Sequence, residues 1–141
     1  MRIYGPTSPR TFPTDRNPSQ VVAAGASTVA GNTTTIQATY TVPAARRALI
    51  TAQAFGNVQT VLAAGQTAQI WIRVQKAGAG AHFQVGEDDF PTASALGVRA
   101  MVAPYYLQLG AGDVLDVTVN VGVGAGAITG GGGFDGVEYD A

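Results

Sequence analysis

The chain has 141 residues, 12% of them charged, with a formal net charge of −1 and no cysteine. That length suits one domain with a real core; the charge argues against nucleic acid as a main partner, since phosphate binding needs clustered Lys and Arg, and disulfides are excluded. A single histidine (His82) and a single lysine (Lys76) leave little material for proton transfer, metal capture or an activated nucleophile, so neither an enzyme nor a cofactor is expected.

No apolar run approaches membrane-spanning length, and Met1 to Pro6 does not open a signal peptide, so no membrane partner is expected. A surface this poor in charge is unusual for a free monomer and points to burial against other subunits. The alternative is a small neutral β-protein that is simply soluble.

Residues 1–19 read as an arm. Pro6, Pro9, Pro13 and Pro18 stop any helix or central strand and favour polyproline-like extension. Arg2, Arg10 and Arg16 against Asp15 leave it at +2, and Tyr4 and Phe12 supply aromatic anchors. Two readings fit: a disordered terminus, or an arm lying across a neighbour through Tyr4, Arg10, Phe12 and Arg16.

Residues 20–123 read as a β-domain. Thr33 to Val42 alternates, with Thr34, Ile36, Ala38, Tyr40 and Val42 on one face. Pro43 to Arg47 breaks that strand, and Ala48 to Phe55 forms the next. Ala68 to Gln75 alternates again, with Ile70, Ile72 and Val74 inward and Gln69, Trp71, Arg73 and Gln75 outward. An outward Trp beside Arg is a typical interface anchor, so Trp71, Arg73, Arg46 and Arg47 are the expected subunit-interface residues; a sugar stacked on Trp71 is the competing use.

His82 to Leu96 reads as a long exposed loop carrying Glu87, Asp88 and Asp89 at a solvated tip. Pairing with Arg46, Arg47 or the arm arginines, or a hard cation, are the other uses of that cluster. A lone His82 beside Phe83 reads as packing or interface. Tyr105, Leu107 and Leu109 line a late strand. Gly110 to Asp113 turns the chain, with Asp113 and Asp116 in structural roles, and Leu115, Val117, Val119 and Val121 line the following strand.

Residues 124–141 read as a flexible Gly-rich tail at −3, a tether carrying Phe134 and Tyr139 to a docking pocket. Gly130 to Val137 matches one copy of a calcium-binding Gly-Gly-x-Gly-x-Asp repeat, but a single copy cannot stack with others to hold an ion, so no metal is expected. Strands of this spacing, joined by loops of very unequal length, point to an all-β antiparallel sandwich of jelly-roll type with an extended N-terminal arm.

The segment Tyr40-Thr41-Val42-Pro43-Ala44-Ala45-Arg46-Arg47-Ala48-Leu49-Ile50 and the later Leu107-Gln108-Leu109-Gly110-Ala111-Gly112-Asp113-Val114-Leu115 resemble small β-sandwich proteins of tailed-bacteriophage virions. The resemblance covers roughly residues 33–122. It implies a capsid decoration (cement) protein on the virion surface: a homotrimer whose partners are its own copies and the major capsid protein or other virion proteins. A tail, head-fibre-base or head–tail connector component is the alternative within that resemblance. A carbohydrate- or receptor-binding module using Trp71, Tyr105 and Tyr106 is the alternative outside it.

Overall fold

The computed structural model describes residues 16–58, 68–90, 97–102, 106–122 and 128–141. Among them every regular element is a strand: β1 (Ser19–Val29), β2 (Thr33–Thr41), β3 (Arg46–Val58), β4 (Ala68–Gln75), β5 (His82–Phe90), β6 (Gly97–Val102), β7 (Leu107–Leu109), β8 (Val114–Val121) and β9 (Ile128–Asp140).

The strands form two antiparallel sheets. Sheet A runs β1-β9-β3-β6, with β7 also on β3, and sheet B runs β2-β8-β4-β5. The order follows from one operation. Fold the chain in half and β1 meets β9, β2 meets β8, β3 meets β6 and β7, and β4 meets β5. Roll that ribbon and β9 closes on β3 while β8 closes on β4. This is the jelly roll.

Alternation builds the core. Ala48, Ile50, Ala52 and Ala54 of β3 face Ile70, Ile72 and Val74 of β4, with Leu115, Val117, Val119 and Val121 of β8 beside them, all buried. The inward residues of β3 and β9 are mostly Ala and Gly, with Ile50 and Phe134 as the large exceptions, while β4 and β8 of sheet B supply a row of Ile, Leu and Val.

Several expectations are corrected. The segment taken as a tail, 124–141, is not a tether from Ile128 onward: β9 lies inside sheet A, paired with β1 over 11 residues and with β3 over 13. Its glycines are places where a side chain has no room. A β-carbon on Gly130 would stand 2.4 Å from Val119 Cγ2, one on Gly132 2.5 Å from Val117 Cγ1, and one on Gly131 2.4 Å from Phe55 Cζ. The sandwich therefore extends beyond residue 123, and its first strand begins at Ser19.

The segment read as a loop from His82 is β5 as far as Phe90, which among the described residues is an edge strand paired on one side only, where Glu87, Asp88 and Asp89 are tolerated. The single face assigned to Thr34, Ile36, Ala38, Tyr40 and Val42 is broken by a bulge between Ile36 and Ala38. Ile36 consequently points outward and is 51% exposed, while Ala38 and Val42 are buried. At the bulge β2 leans onto β1: a β-carbon on Gly25 would lie 2.0 Å from the Gln37 carbonyl oxygen.

Candidate interaction surfaces

Three groupings of polar and aromatic side chains stand out. The first ties the two ends of the fold together. Arg46, at the start of β3, reaches Glu138 at 3.3 Å and Asp140 at 2.5 Å, and donates to Ser19 Oγ at 2.7 Å. Tyr40 Oη donates to Glu138 Oε2 at 2.5 Å, and Ser19 Oγ donates to Glu138 Oε1 at 3.0 Å.

The Tyr40 hydroxyl is the main cause holding the Glu138 carboxyl below its ordinary range; burial opposes it, and Ser19 and Arg46 add to it. Burial, then that same hydrogen bond and the Glu138 charge, push the Tyr40 phenol well above its usual value. Arg46 was expected at a subunit interface. The structure engages its guanidinium within the chain, because β9 brings two carboxylates alongside it.

The second grouping lies on the outer face of sheet B. Arg73 sits 5.5 Å from the centroid of the half-buried Trp71 ring and 3.8 Å from the buried Asp116 carboxylate. His82 Nε2 lies 2.9 Å from the same Asp116 oxygen. Asp116 therefore lies in β8 and gathers two basic side chains, where the sequence had placed it at a turn.

A polar ladder crosses the same face. Thr34 Oγ1 donates to Asn120 Oδ1 at 2.8 Å, Asn120 Nδ2 donates to Gln69 Oε1 at 3.1 Å, and Gln69 Nε2 bridges Glu87 and Asp89 at 2.8 Å each. Arg73 lies against the half-buried Trp71 ring. Tyr106, 46% exposed, lines a separate cleft of about 510 Å³ with Phe83, Leu107 and Leu109. Tyr105 lies outside the described residues.

The third grouping is the turn before β8. Gly112 takes φ +79°, and Asp113 accepts from the backbone N–H of Gly110 and of Ala77, both at 2.9 Å, while pairing with Lys76. Burial works to raise the Asp113 carboxyl, but the donations from Lys76, Gly110 and Ala77 outweigh it and hold the group below its ordinary range.

The remaining site residues separate by location. Phe134 is buried in this chain's own core, its ring centroid 5.6 Å from that of Tyr40 at an interplanar angle of 46°, so it docks inside its own sandwich. Tyr139 is half-buried on β9 and lines a small groove with Arg47, Gln108 and Leu109. Tyr4, Arg10 and Phe12 lie outside the described residues. Arg16 is exposed, and its carbonyl accepts from the Asp140 N–H at 2.8 Å, so the N-terminal segment joins the fold beside the end of β9. Among the described residues no group of three or more His, Asp or Glu is placed to hold a metal ion.

What sequence reading missed is the outer face of sheet A. Val22 is 67% exposed, Phe55 lies across Gly131, and a depression of about 370 Å³ is lined by Val22, Ala24, Thr51, Gln53 and Asp135 above Gly133. Its signal was the glycine run itself, which leaves a shallow trough when it sits mid-sheet.

No protein-family model matches the chain, and no curated protein does. Two solved structures are similar in overall shape. One is a structure of Bacillus endospore appendages, described as a novel family of disulfide-linked pili, at 14% identity over 94% of this chain and 98% of that chain, with a TM-score of 0.45. The other is infectious bursal disease virus, Gt strain, at 9% identity over 99% of this chain and 37% of that chain, with a TM-score of 0.46. At these values neither likeness bears on function.

Proposed function

We propose that this chain is a structural subunit of a virion, a decoration protein that sits as a homotrimer on a bacteriophage head and reinforces its joints. The observation that carries the reading is the outer face of sheet A. It sets the exposed Val22 and the Phe55 ring over Gly131 among small and uncharged polar side chains with one carboxylate, Asp135, a mixed makeup that suits broad contact with another protein. The overall scarcity of charge points the same way. Contact at about 25 cal/mol per Å² of buried apolar area, repeated in each copy of a trimer, holds firmly without any single strong site. The N-terminal arm, with Tyr4, Arg10, Phe12 and Arg16, is the proposed grip on the neighbouring capsid subunits.

The test is occupancy on purified heads stripped of surface proteins, read by quantitative mass spectrometry. The reading expects hundreds of copies per particle for the full chain and at least a tenfold fall when residues 1–15 are deleted. Tens of copies or fewer for the full chain would favour a tail or connector component. Undiminished occupancy after the deletion would remove the arm from the contact.

A further inference from the structure

A sandwich of two open sheets has four edges, and each presents unpaired backbone N–H and C=O groups on which another strand can pair. Three of the four are blunted here. The β2 edge is broken by the bulge at Ile36/Ala38. The β5 edge is irregular opposite Ile72/Arg73 and carries Glu87, Asp88 and Asp89 in a row. The edge beyond β3 is divided between β6, of six residues, and β7, of three.

The β1 edge is different. β1 runs for 11 residues (Ser-Gln-Val-Val-Ala-Ala-Gly-Ala-Ser-Thr-Val) with no charge and no proline, and its register on β9 is unbroken from end to end. Among the described residues its other side is unpaired. Val22, the most exposed large apolar side chain among the described residues, stands on this strand.

We infer that two copies of this chain join edge to edge through antiparallel pairing of β1 with β1, about a two-fold axis at Ala24, fusing two A sheets into one. A second copy is the fitting occupant for three reasons. An antiparallel pair about a two-fold axis is self-complementary, so one strand serves as both halves. β1 carries no charge, so two copies meet without like-charge repulsion across the strands. Centring on Ala24 also sets small side chains together on the outer face: Val22 meets Ala26 of the partner subunit, Gln20 meets Thr28 of the partner subunit, and Ala24 meets its own copy. The N-terminal arm is a poorer occupant, because Pro6, Pro9 and Pro13 fall on both parities and interrupt either row of donors. Combined with the three-fold axis of the proposed trimer, on which reading this step rests, the joint closes to a hexamer.

The test uses the full chain and reads mass in solution, independently of any binding to heads. Wild type has an even number of copies by light scattering, and Val22→Lys, which puts a charge on an already exposed position of the edge, halves that mass with an unchanged circular dichroism spectrum. The protein has no cysteine, so Ala24→Cys reports the axis directly. Opposed residues in an antiparallel pair lie about 4.5–5.5 Å apart between Cα atoms, and mild oxidation links Ala24→Cys into a covalent dimer. Thr28→Cys, displaced from its own copy by about 27 Å at 3.4 Å per residue, stays unlinked. A wild-type monomer, a mass that Val22→Lys leaves unchanged, or equal cross-linking at both cysteine positions overturns the inference.

Discussion

Arg46 shows how much a single side chain's role depends on what the fold brings to it. In sequence it is one of two adjacent arginines after a proline turn, with nothing local to pair with. In the fold it meets carboxylates from the far end of the chain, and Tyr40 fixes the second oxygen of Glu138. Glu138 is held below its ordinary value in the folded protein, so the cluster stabilises the fold above the unfolded carboxyl range. That stabilisation is lost as pH falls through the folded value. Glu138→Gln should cost about 1–3 kcal/mol at pH 7, the range for leaving buried donors without a charged acceptor. It should also flatten the fall in stability between pH 7 and pH 3. Urea midpoints across that range for both proteins check this; parallel curves would show that the cluster contributes nothing through its charge. Asp113, lowered by Lys76 and two backbone donors, keeps its own share of the acid sensitivity in both proteins.

Among the elements, β9 carries the sharpest test of why glycine appears where it does. If Gly132 were there for flexibility, alanine would stabilise it by limiting the unfolded chain. The structure requires the opposite: the added carbon would stand 2.4 Å from the Gln53 carbonyl oxygen and 2.5 Å from Val117 Cγ1. Gly132→Ala should therefore cost about 1–3 kcal/mol, the usual price of overpacking. Gly80→Ala, with nothing within 4 Å of the new carbon, should stay within about 0.5 kcal/mol. Thermal or chemical denaturation of the two variants separates the accounts. The contrast also explains which parts of the fold were legible. β4 and β8 declare themselves because each carries its own alternation, Ile70/Ile72/Val74 and Leu115/Val117/Val119/Val121, and they pack as those patterns require. β9 has no side chains to alternate over Gly130 to Gly133; its pattern is written in the residues that fill its place, Val117, Val119 and Phe55, which lie on other strands. β5 was hidden by its three carboxylates, which an edge strand tolerates and a central one does not. The phase of β2 was misread at Ile36 because a bulge set by contact with β1 leaves no mark in local alternation. The outer surfaces were less legible than the core for the same reason: Arg46, Asp116 and His82 acquire partners only from strands distant in sequence.

At the scale of the whole molecule, the jelly roll makes the two ends of the chain interdependent. β1 pairs with β9 and β9 pairs with β3, so the last strand lies between the first and the third. Ending the chain after Gly122 would remove β9 and strip β1 of its hydrogen-bonded partner in sheet A. The inner surfaces of Val117 and Val119, which now meet Gly132 and Gly130, would open to water, and Arg46 and Tyr40 would lose Glu138. Among the described residues β1 and β3 are joined within sheet A through β9 alone, so nothing there closes that gap. A 122-residue chain should therefore lose its cooperative thermal transition and its near-ultraviolet circular dichroism. Were residues 124–141 a tether, both signals would survive the cut with the midpoint shifted by no more than a degree or two. Deleting residues 1–15 is the matched control, since it leaves β1 to β9 and the Arg16 contact to Asp140 in place; that protein should keep its transition. The same topology sets the kinetics. Native pairing of residue 19 with residue 138 closes nearly the full length of the chain, so folding is dominated by contacts distant in sequence and belongs in the millisecond-to-second range of β-sandwiches. Supplying the missing strand as a separate peptide of residues 124–141 should then restore the near-ultraviolet signal of the 122-residue chain, with a rate that rises with peptide concentration. Failure of that rescue, with the peptide soluble and in excess, would mean that β9 is needed earlier, as part of the nucleus on which the two sheets first close.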